Sequence, residues 1–264
     1  MTTPEDYRQV SAKYYDEAYA TKEAVDDLQF YVDLAKANGG SVLELACGTG
    51  RILLPVARQG IPIHGIDSSL PMLNVLQNKL RQELKDVQEL VSISHGDIRT
   101  FRSNREYPLV IIPFRPLQHM YTVEDQVAAL QTAAFHLEAG GSLVFDVFYP
   151  RFDSINSNVG EEFLELEWTP KSDPGKVIRR YFRKEAVDKI NQTFTATFIF
   201  RTYQGEKLVQ EETESFKMSY YTYPHLRALF LLAGLEIVEE YGSFERTPLD
   251  NQAEQMIFLL KKSS

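Results

Sequence analysis

Residues 42–51, Val-Leu-Glu-Leu-Ala-Cys-Gly-Thr-Gly-Arg, constrain this chain more than any other stretch. A short apolar run carries the carboxylate of Glu44, breaks at a turn containing Gly48 and Gly50, and gives way to a helical run near Ile52. A strand, a turn and a helix in that order bring bare backbone against a ligand, because neither glycine has a side chain in the way. The next apolar run, 61–66, ends at Asp67. A carboxylate at that strand tip is placed to accept hydrogen bonds from a ribose. The pyrophosphate turn of dinucleotide folds, Gly-x-Gly-x-x-Gly, is broken, with Leu53 standing where the third glycine would be.

Apolar spacing organises the rest. Residues 5–20, rich in tyrosine (Tyr7, Tyr14, Tyr15, Tyr19), read as a helix, and Val25, Leu28, Val32 and Ala35 form the stripe of a second, stopped by Asn38-Gly39-Gly40. Strands over 41–46, 61–66, 90–94, 107–113 and 142–147 alternate with helices over 52–59 and 123–137. Another helix between them carries Leu73, Leu76, Leu80 and Leu84, with Ser68 or Ser69 as its cap and Pro71 in its first turn. Such alternation predicts a parallel sheet with helices on both faces, and ligands on these sheets sit beyond the carboxyl ends of the strands. Those ends are residues 44–50, Asp67, Asp97 and 113–119.

After Pro150 the period changes to two: Leu164, Leu166 and Trp168, then Phe194, Ala196, Phe198 and Phe200, then Phe216, Met218 and Tyr220 alternate with polar partners. Asn191-Gln192 and Gln204-Gly205-Glu206 read as hairpin turns. A helix over 222–233 and strands over 235–241 and 255–261 close the chain. The expected organisation is an α/β domain, 1–154 and 221–264, with an N-terminal helical lid. Its Rossmann-like, seven-stranded, mostly parallel sheet has helices on both faces, and residues 155–220 form an inserted antiparallel β-sheet.

Bulk properties narrow the partners. A length of 264 residues suits one large domain or one domain carrying an insertion. A net charge of −9 with no long Lys/Arg run works against binding a phosphate backbone, and the basic patch over 179–184 is interrupted by Tyr181 and Phe182, as in a strand. The single cysteine excludes an internal disulfide, as expected in a reducing cytoplasm. Residues 1–30 lack the features of a signal peptide, and the apolar run over 228–235 is too short to span a bilayer. A cytoplasmic protein without nucleic-acid or membrane partners is expected.

Glu-Leu-Ala-Cys-Gly-Thr-Gly resembles the acidic, glycine-rich first motif of class I S-adenosylmethionine (SAM) methyltransferases. Over about residues 38–148, the acidic end of the second strand, Gly96-Asp97, and a helix leading into Leu-x-x-Gly-Gly-x-Leu-Val-Phe-Asp follow the same order. The Leu117-Gln118-His119-Met120 run and the later β insertion look like the small-molecule branch that includes glycine N-methyltransferase and amino-sugar N,N-dimethyltransferases. The resemblance implies SAM as cofactor, Glu44 near its methionine moiety, and backbone of Ala46, Cys47, Gly48, Thr49 and Gly50 around the methionine and ribose. It implies Asp67 on the ribose hydroxyls, Ser68 and Met72 beside the adenine, Asp97 and Ile98 on the adenine amino group and ring, and Pro113 and Phe114 near the methyl group. One departure is Ala46, which stands where the family has its first glycine.

Independently, a sulfonium carrying an adenosine wants carboxylates, backbone amides and an apolar slot, and no His/Cys cluster offers metal-ligand spacing. Methyl transfer to a small-molecule amine or oxygen needs alignment above all, worth up to about 7–11 kcal/mol. His119, just past the fourth strand, is the candidate base or acceptor-orienting group, or else a structural helix cap. Arg115 can meet an acidic group of the acceptor or pair with an acid of the lid. Tyr14 and Tyr15 can close over a cationic centre or pack the N-terminal helix. His64 and His136 read as structural, His225 as surface, and His95 as a flank of the adenine. The 155–220 sheet would serve as acceptor wall, homodimer surface, or both. A regulatory SAM-binding protein without catalysis and a nicotinamide oxidoreductase are the competing readings.

Overall fold

The computed structural model describes residues 9–20 and 27–263; Tyr7 and Val25 lie outside the described residues. In chain order the elements are α1 (Gln9–Ala20), α2 (Asp27–Asn38), β1 (Val42–Leu45), α3 (Leu53–Ala57), β2 (Ile63–Asp67), α4 (Leu70–Leu80), α5 (Lys85–Glu89) and β3 (Val91–His95). Next come β4 (Tyr107–Ile112), a 3-10 turn (Pro116–His119), α6 (Val123–Phe135), β5 (Leu137–Phe148) and α7 (Phe152–Ile155). The chain continues with β6 (Glu162–Trp168), β7 (Lys176–Asp188), β8 (Thr193–Gln204), β9 (Lys207–Ser219), α8 (Tyr223–Ala233), β10 (Leu235–Tyr241) and β11 (Gln255–Lys262).

Seven strands pair in the order β10-β11-β5-β4-β1-β2-β3, with β11 the one reversed strand, and β6 to β9 form a separate antiparallel sheet. The expected α/β architecture is present. From β1 the order runs outward to β2 and β3 on one side and to β4 and β5 on the other, so the loops after β1 and β4 part and leave a crevice between them. β4 shows why it is central: Leu109, Val110, Ile111 and Ile112 are all buried, as a strand covered on both faces requires. One face packs Phe145 and Phe258 against Leu130, Leu226 and Phe230 from α6 and α8. The other packs Val42, Ile63 and Ile111 against Tyr31, Leu53, Leu54 and Leu76 from α2, α3 and α4.

Local chemistry sets the helix ends. Ser69, rather than Ser68, caps α4 by accepting the Met72 amide, Thr122 caps α6 and Thr222 caps α8, while Gly234 closes α8 in the left-handed conformation at φ 71°. Three expectations are corrected. Leu84 is 73% exposed and precedes the separate short helix α5, so the stripe of α4 ends at Leu80. β5 begins at Leu137, before the expected Ser142, because Leu137 already pairs with Tyr107 ahead of a register break. His225 is half-buried, its ring 5.5 Å from that of Tyr221. His64 bridges Tyr107 Oη (2.9 Å) and Ser94 Oγ (2.8 Å), and His136 Nε2 accepts the Ser103 amide, so both are structural as expected.

The second sheet is bolted to the first through the segment that follows β4. Gln118 Nε2 donates to the Ser219 carbonyl (2.8 Å) while its Oε1 accepts the Phe148 amide (3.1 Å), and Tyr221 Oη donates to the Leu117 carbonyl (2.7 Å). α1 bridges both sheets: Asp16 accepts from Thr49 Oγ1 (2.7 Å) and Lys79 Nζ (2.8 Å), while Glu214 of β9 accepts from Ser11. The Tyr14 ring stacks on Phe200 at 4.8 Å. Among the described residues, no helix is long and apolar enough to cross a membrane.

The glycine turn is tightly dictated. Gly50 sits at φ 79°, and a Cβ there would overlap the Leu76 side chain of α4. Gly50→Ala should therefore lower unfolding free energy by on the order of 2 kcal/mol, read as an earlier urea midpoint with an unchanged slope.

Candidate functional site: a cleft between the two sheets

The carboxyl ends of the parallel strands, α1 and the inner face of the second sheet enclose a cavity of about 910 Å³. Ala46, Gly48, Asp67, Ser68, Met72, Asp97, Ile98 and Pro113 line it, together with Tyr14, Tyr15, Phe114, Arg115 and His119. Residues from four strand ends, the 3-10 turn and α1 thus meet on one void.

The glycine turn reaches the cavity through Ala46 and Gly48 and turns its other side chains away. Ala46 takes the left-handed conformation at φ 64°, which costs a residue with a Cβ about 1–2 kcal/mol and is the conformation the usual glycine adopts freely. Gly48, at φ 54°, donates its amide to Asp67 Oδ2 at 2.8 Å. The buried Cys47 side chain packs against Gly65 and burial pushes its thiol up, while Thr49 is engaged by Asp16 and Gly50 faces Leu76. Glu44 lies beneath the turn, 2% exposed, and its Oε2 has no hydrogen-bond partner. Burial drives its pKa well above the carboxylate range, against the pull of Arg51. Glu44, Cys47, Thr49 and Gly50 are absent from the cavity surface and shape the turn from behind.

The strand-end acids are held differently. Asp67 accepts two amides, Gly48 through Oδ2 and Ser69 through Oδ1 at 2.7 Å, which locks the β1 and β2 tips together. Asp97 pairs side by side with Arg99, whose Nη1 also reaches Asp125 at 3.0 Å. Although desolvation opposes it, the Arg99 hydrogen bonds hold the Asp97 carboxyl below its usual range. His95 Nε2 lies 3.1 Å from the Ser68 carbonyl.

Past β4 the backbone is strained. Phe114 and Arg115 are consecutive left-handed residues, at φ 66° and 69°. Such conformations persist where the surroundings over-determine them, and here three contacts do so. The Phe114 amide donates to Asp146 Oδ1 (2.7 Å), the Arg51 guanidinium lies 4.6 Å from the Phe114 ring, and the Tyr19 ring meets it edge-on at 4.9 Å. Tyr15 stands 6.3 Å from Phe114 and 4.6 Å from Tyr19, whereas Tyr14 is committed to Phe200 and, through its hydroxyl, to Glu212. His119 Nδ1 is 3.1 Å from the Lys217 carbonyl of β9, which orients the ring.

Two cavity-lining residues carry no role in the sequence reading, although Asp146 ends the quoted Leu-x-x-Gly-Gly-x-Leu-Val-Phe-Asp run. Asp146, fully buried at the end of β5, accepts from Tyr31 Oη (2.8 Å) as well as from the Phe114 amide. Burial raises its pKa to about 6, opposed by Arg115 and the Tyr31 hydrogen bond. Its signal was a lone carboxylate set among the apolar residues near the carboxyl end of the fifth strand. Arg180 of β7 also lines the cavity, and its signal was a cation in step with inward-facing Ile178 and Phe182. Among the described residues, no group of three or more His, Cys, Asp or Glu side chains is placed to hold a metal ion.

Comparison with known proteins matches this geometry. Residues 42–141 match the methyltransferase domain family. Over its full length the structure superposes on the CcbJ methyltransferase from Streptomyces caelestis with a TM-score of 0.82, at 24% identity and 100% coverage of both chains. The cypemycin N-terminal methyltransferase of a Streptomyces species is 22% identical over 263 residues, covering 99% of this chain and 100% of that one. A dTDP-3-amino-3,4,6-trideoxy-alpha-D-glucopyranose N,N-dimethyltransferase of Streptomyces venezuelae is 31% identical over 109 residues, 41% of this chain and 43% of that relative. Residues 42–141 thus carry the pattern of a methyltransferase domain, and the chain as a whole shares the fold of the CcbJ methyltransferase.

The buried Asp146 gives stability a specific pH dependence. Its folded pKa of about 6 lies above the unfolded carboxylate value, so the folded state holds the extra proton between them. The stabilisation is complete below about pH 4 and is lost as pH rises through about 6, by about 3 kcal/mol at most. Unfolding free energies measured across that range should fall less steeply in Asp146→Asn than in the parent protein.

Proposed function

We propose that this protein methylates a nitrogen of a small-molecule acceptor held between the strand tips and the second sheet. The observation that carries this reading is the single cavity, in which Gly48, Asp67 and Asp97 share one void with His119 and the aromatic face of β7 to β9. A void of about 910 Å³, roofed by α1, has room for the cofactor and a compact acceptor together. The relatives named for N-terminal and sugar-amine methylation favour nitrogen over oxygen.

The residues present fit SAM. Gly48 and Ala46 offer close backbone to the methionine and ribose portions, Asp67 is placed for the ribose hydroxyls, and Ser68, Met72, Asp97 and Ile98 frame an adenine slot. Glu44, Cys47, Thr49 and Gly50 hold the turn in shape from below. When bound, SAM supplies a sulfonium-activated methyl carbon open to direct displacement. The chain aligns the acceptor: Pro113 and the strained Phe114 form the floor of the acceptor side, and Tyr15, backed by Tyr19, closes over it. Arg115 faces the acceptor side. His119, donating from Nδ1 to Lys217, carries its lone pair on Nε2, where it can take the proton of an amine that arrives charged. In this reading residues 155–220 are the acceptor wall of a domain made of 1–154 and 221–264.

Calorimetry with SAM, followed by incubation with labelled SAM and a panel of amines, amino acids and phenols, tests the proposal; no SAM binding at tens of micromolar protein would sink it. Asp67→Ala should weaken SAM binding about 10- to 100-fold, the worth of a charged hydrogen bond. His119→Ala should leave SAM affinity near that of the parent and slow turnover about 100-fold or more. Equal losses of SAM affinity in both variants would show the roles to be misassigned.

A further inference from the structure

The wall that the second sheet presents to the cavity is aromatic, built of Phe182, Phe194, Phe198, Phe200 and Phe216. Arg180 interrupts it. The residue is 3% exposed, and its guanidinium packs close to two rings, 4.4 Å from the centroid of Phe198 and 5.0 Å from that of Tyr19. Glu165 Oε2 stands 3.1 Å from its Nη2, and its Nε makes no hydrogen bond. Burying a guanidinium with donors unfilled is costly, and a methionine or leucine would pack the same rings without that cost. Stacking alone therefore does not account for an arginine here.

The surroundings show what the open donors suit. With two rings packed close to the guanidinium and its Nε unfilled, the N–H edge is left for recognition, and through that edge arginine takes a carboxylate side-on. Lys184, four residues further along β7, lines the same cavity and donates to the carbonyls of Ser154, Ile155 and Ser157. Those are dipoles rather than charges, so the lysine leaves positive potential on this side. Arg115 lines the same cavity with its Nε also lacking a hydrogen bond, its charge set against that of Asp146. Glu165 beside Arg180 favours an anion of single charge over a doubly charged one.

We propose that Arg180 anchors a carboxylate of the methyl acceptor, so that the acceptor is an amino compound with an apolar or aromatic body and one carboxylate group. The inference rests on the methyl-transfer reading above. It is tested by calorimetry on the protein saturated with S-adenosylhomocysteine, titrated with 3-phenylpropanoate and separately with 3-phenylpropanamide, which differ in charge but hardly in shape. The carboxylate should bind at least about tenfold more tightly than the amide, the usual margin for a buried charged hydrogen bond. Arg180→Met should erase the preference, Arg180→Lys should keep part of it, and Arg201→Met, altering an arginine paired with Glu162 and Glu211, should leave it intact. Equal binding of the two probes, no binding of either, or a preference that survives in Arg180→Met overturns the proposal. If Arg180→Met does not fold, the wild-type pair of probes decides alone. Failure of S-adenosylhomocysteine to bind removes the methyl-transfer reading itself; its binding without a carboxylate preference removes this inference only.

Discussion

The strand order reverses between β1 and β4, and the site is a consequence of that reversal. Adjacent parallel strands whose connections leave in opposite directions cannot fill the space above their carboxyl ends, so a crevice opens there. Everything that lines the crevice must arrive from a strand tip or the loop after it. This explains why Ala46, Asp67, Asp97, Pro113 and Asp146, distant in sequence, face one void. The cost is a set of backbone groups at the tips with no ladder to satisfy them. Asp67 meets part of that demand through Gly48 and Ser69, and Asp146 meets another part through Phe114.

The second sheet and α1 turn an open crevice into a chamber. The sheet is tied through Gln118 and Tyr221 to the 3-10 turn, so the segment carrying His119 is fixed from both sides. α1 then spans the gap by pairing Asp16 with the glycine turn and α4, and Ser11 with β9 of the second sheet. Closing over the strand tips lowers the local dielectric, which is why Glu44 and Asp146 hold their protons more tightly than free carboxylates. The same closure makes an unfilled guanidinium such as Arg180 informative, because polar groups shut away from water need a reason to be there.

Local signals made much of the scaffold legible. Alternating strands and helices over 41–148, the period of two after Pro150, and the turns at Asn191-Gln192 and Gln204-Gly205-Glu206 each reflect backbone geometry within a few residues, and the elements appear in that order with some of their ends displaced. Reading failed where the answer lay in a partner far along the chain. Nothing near Leu84 says that α4 has already ended, and nothing near Ser142 says that the strand begins at Leu137 by pairing with Tyr107. In the glycine turn, the sequence order of Ala46 to Gly50 does not reveal which of them face the void, since Leu76, Gly65 and Asp16 decide that from other elements.

By itself, then, the amino-acid order determined the α/β class and the acidic and glycine-rich strand tips at one carboxyl edge. These follow from periodicity and from residues whose backbone preferences act locally. Tertiary structure alone decided that Asp146 and Arg180 belong to the same cavity as Asp67, that of the two lining tyrosines Tyr14 stacks on Phe200 while Tyr15 stands against Phe114, and that His119 is aimed by a carbonyl of β9. Burial and pairing depend on which distant segments meet, and no short-range pattern encodes that meeting.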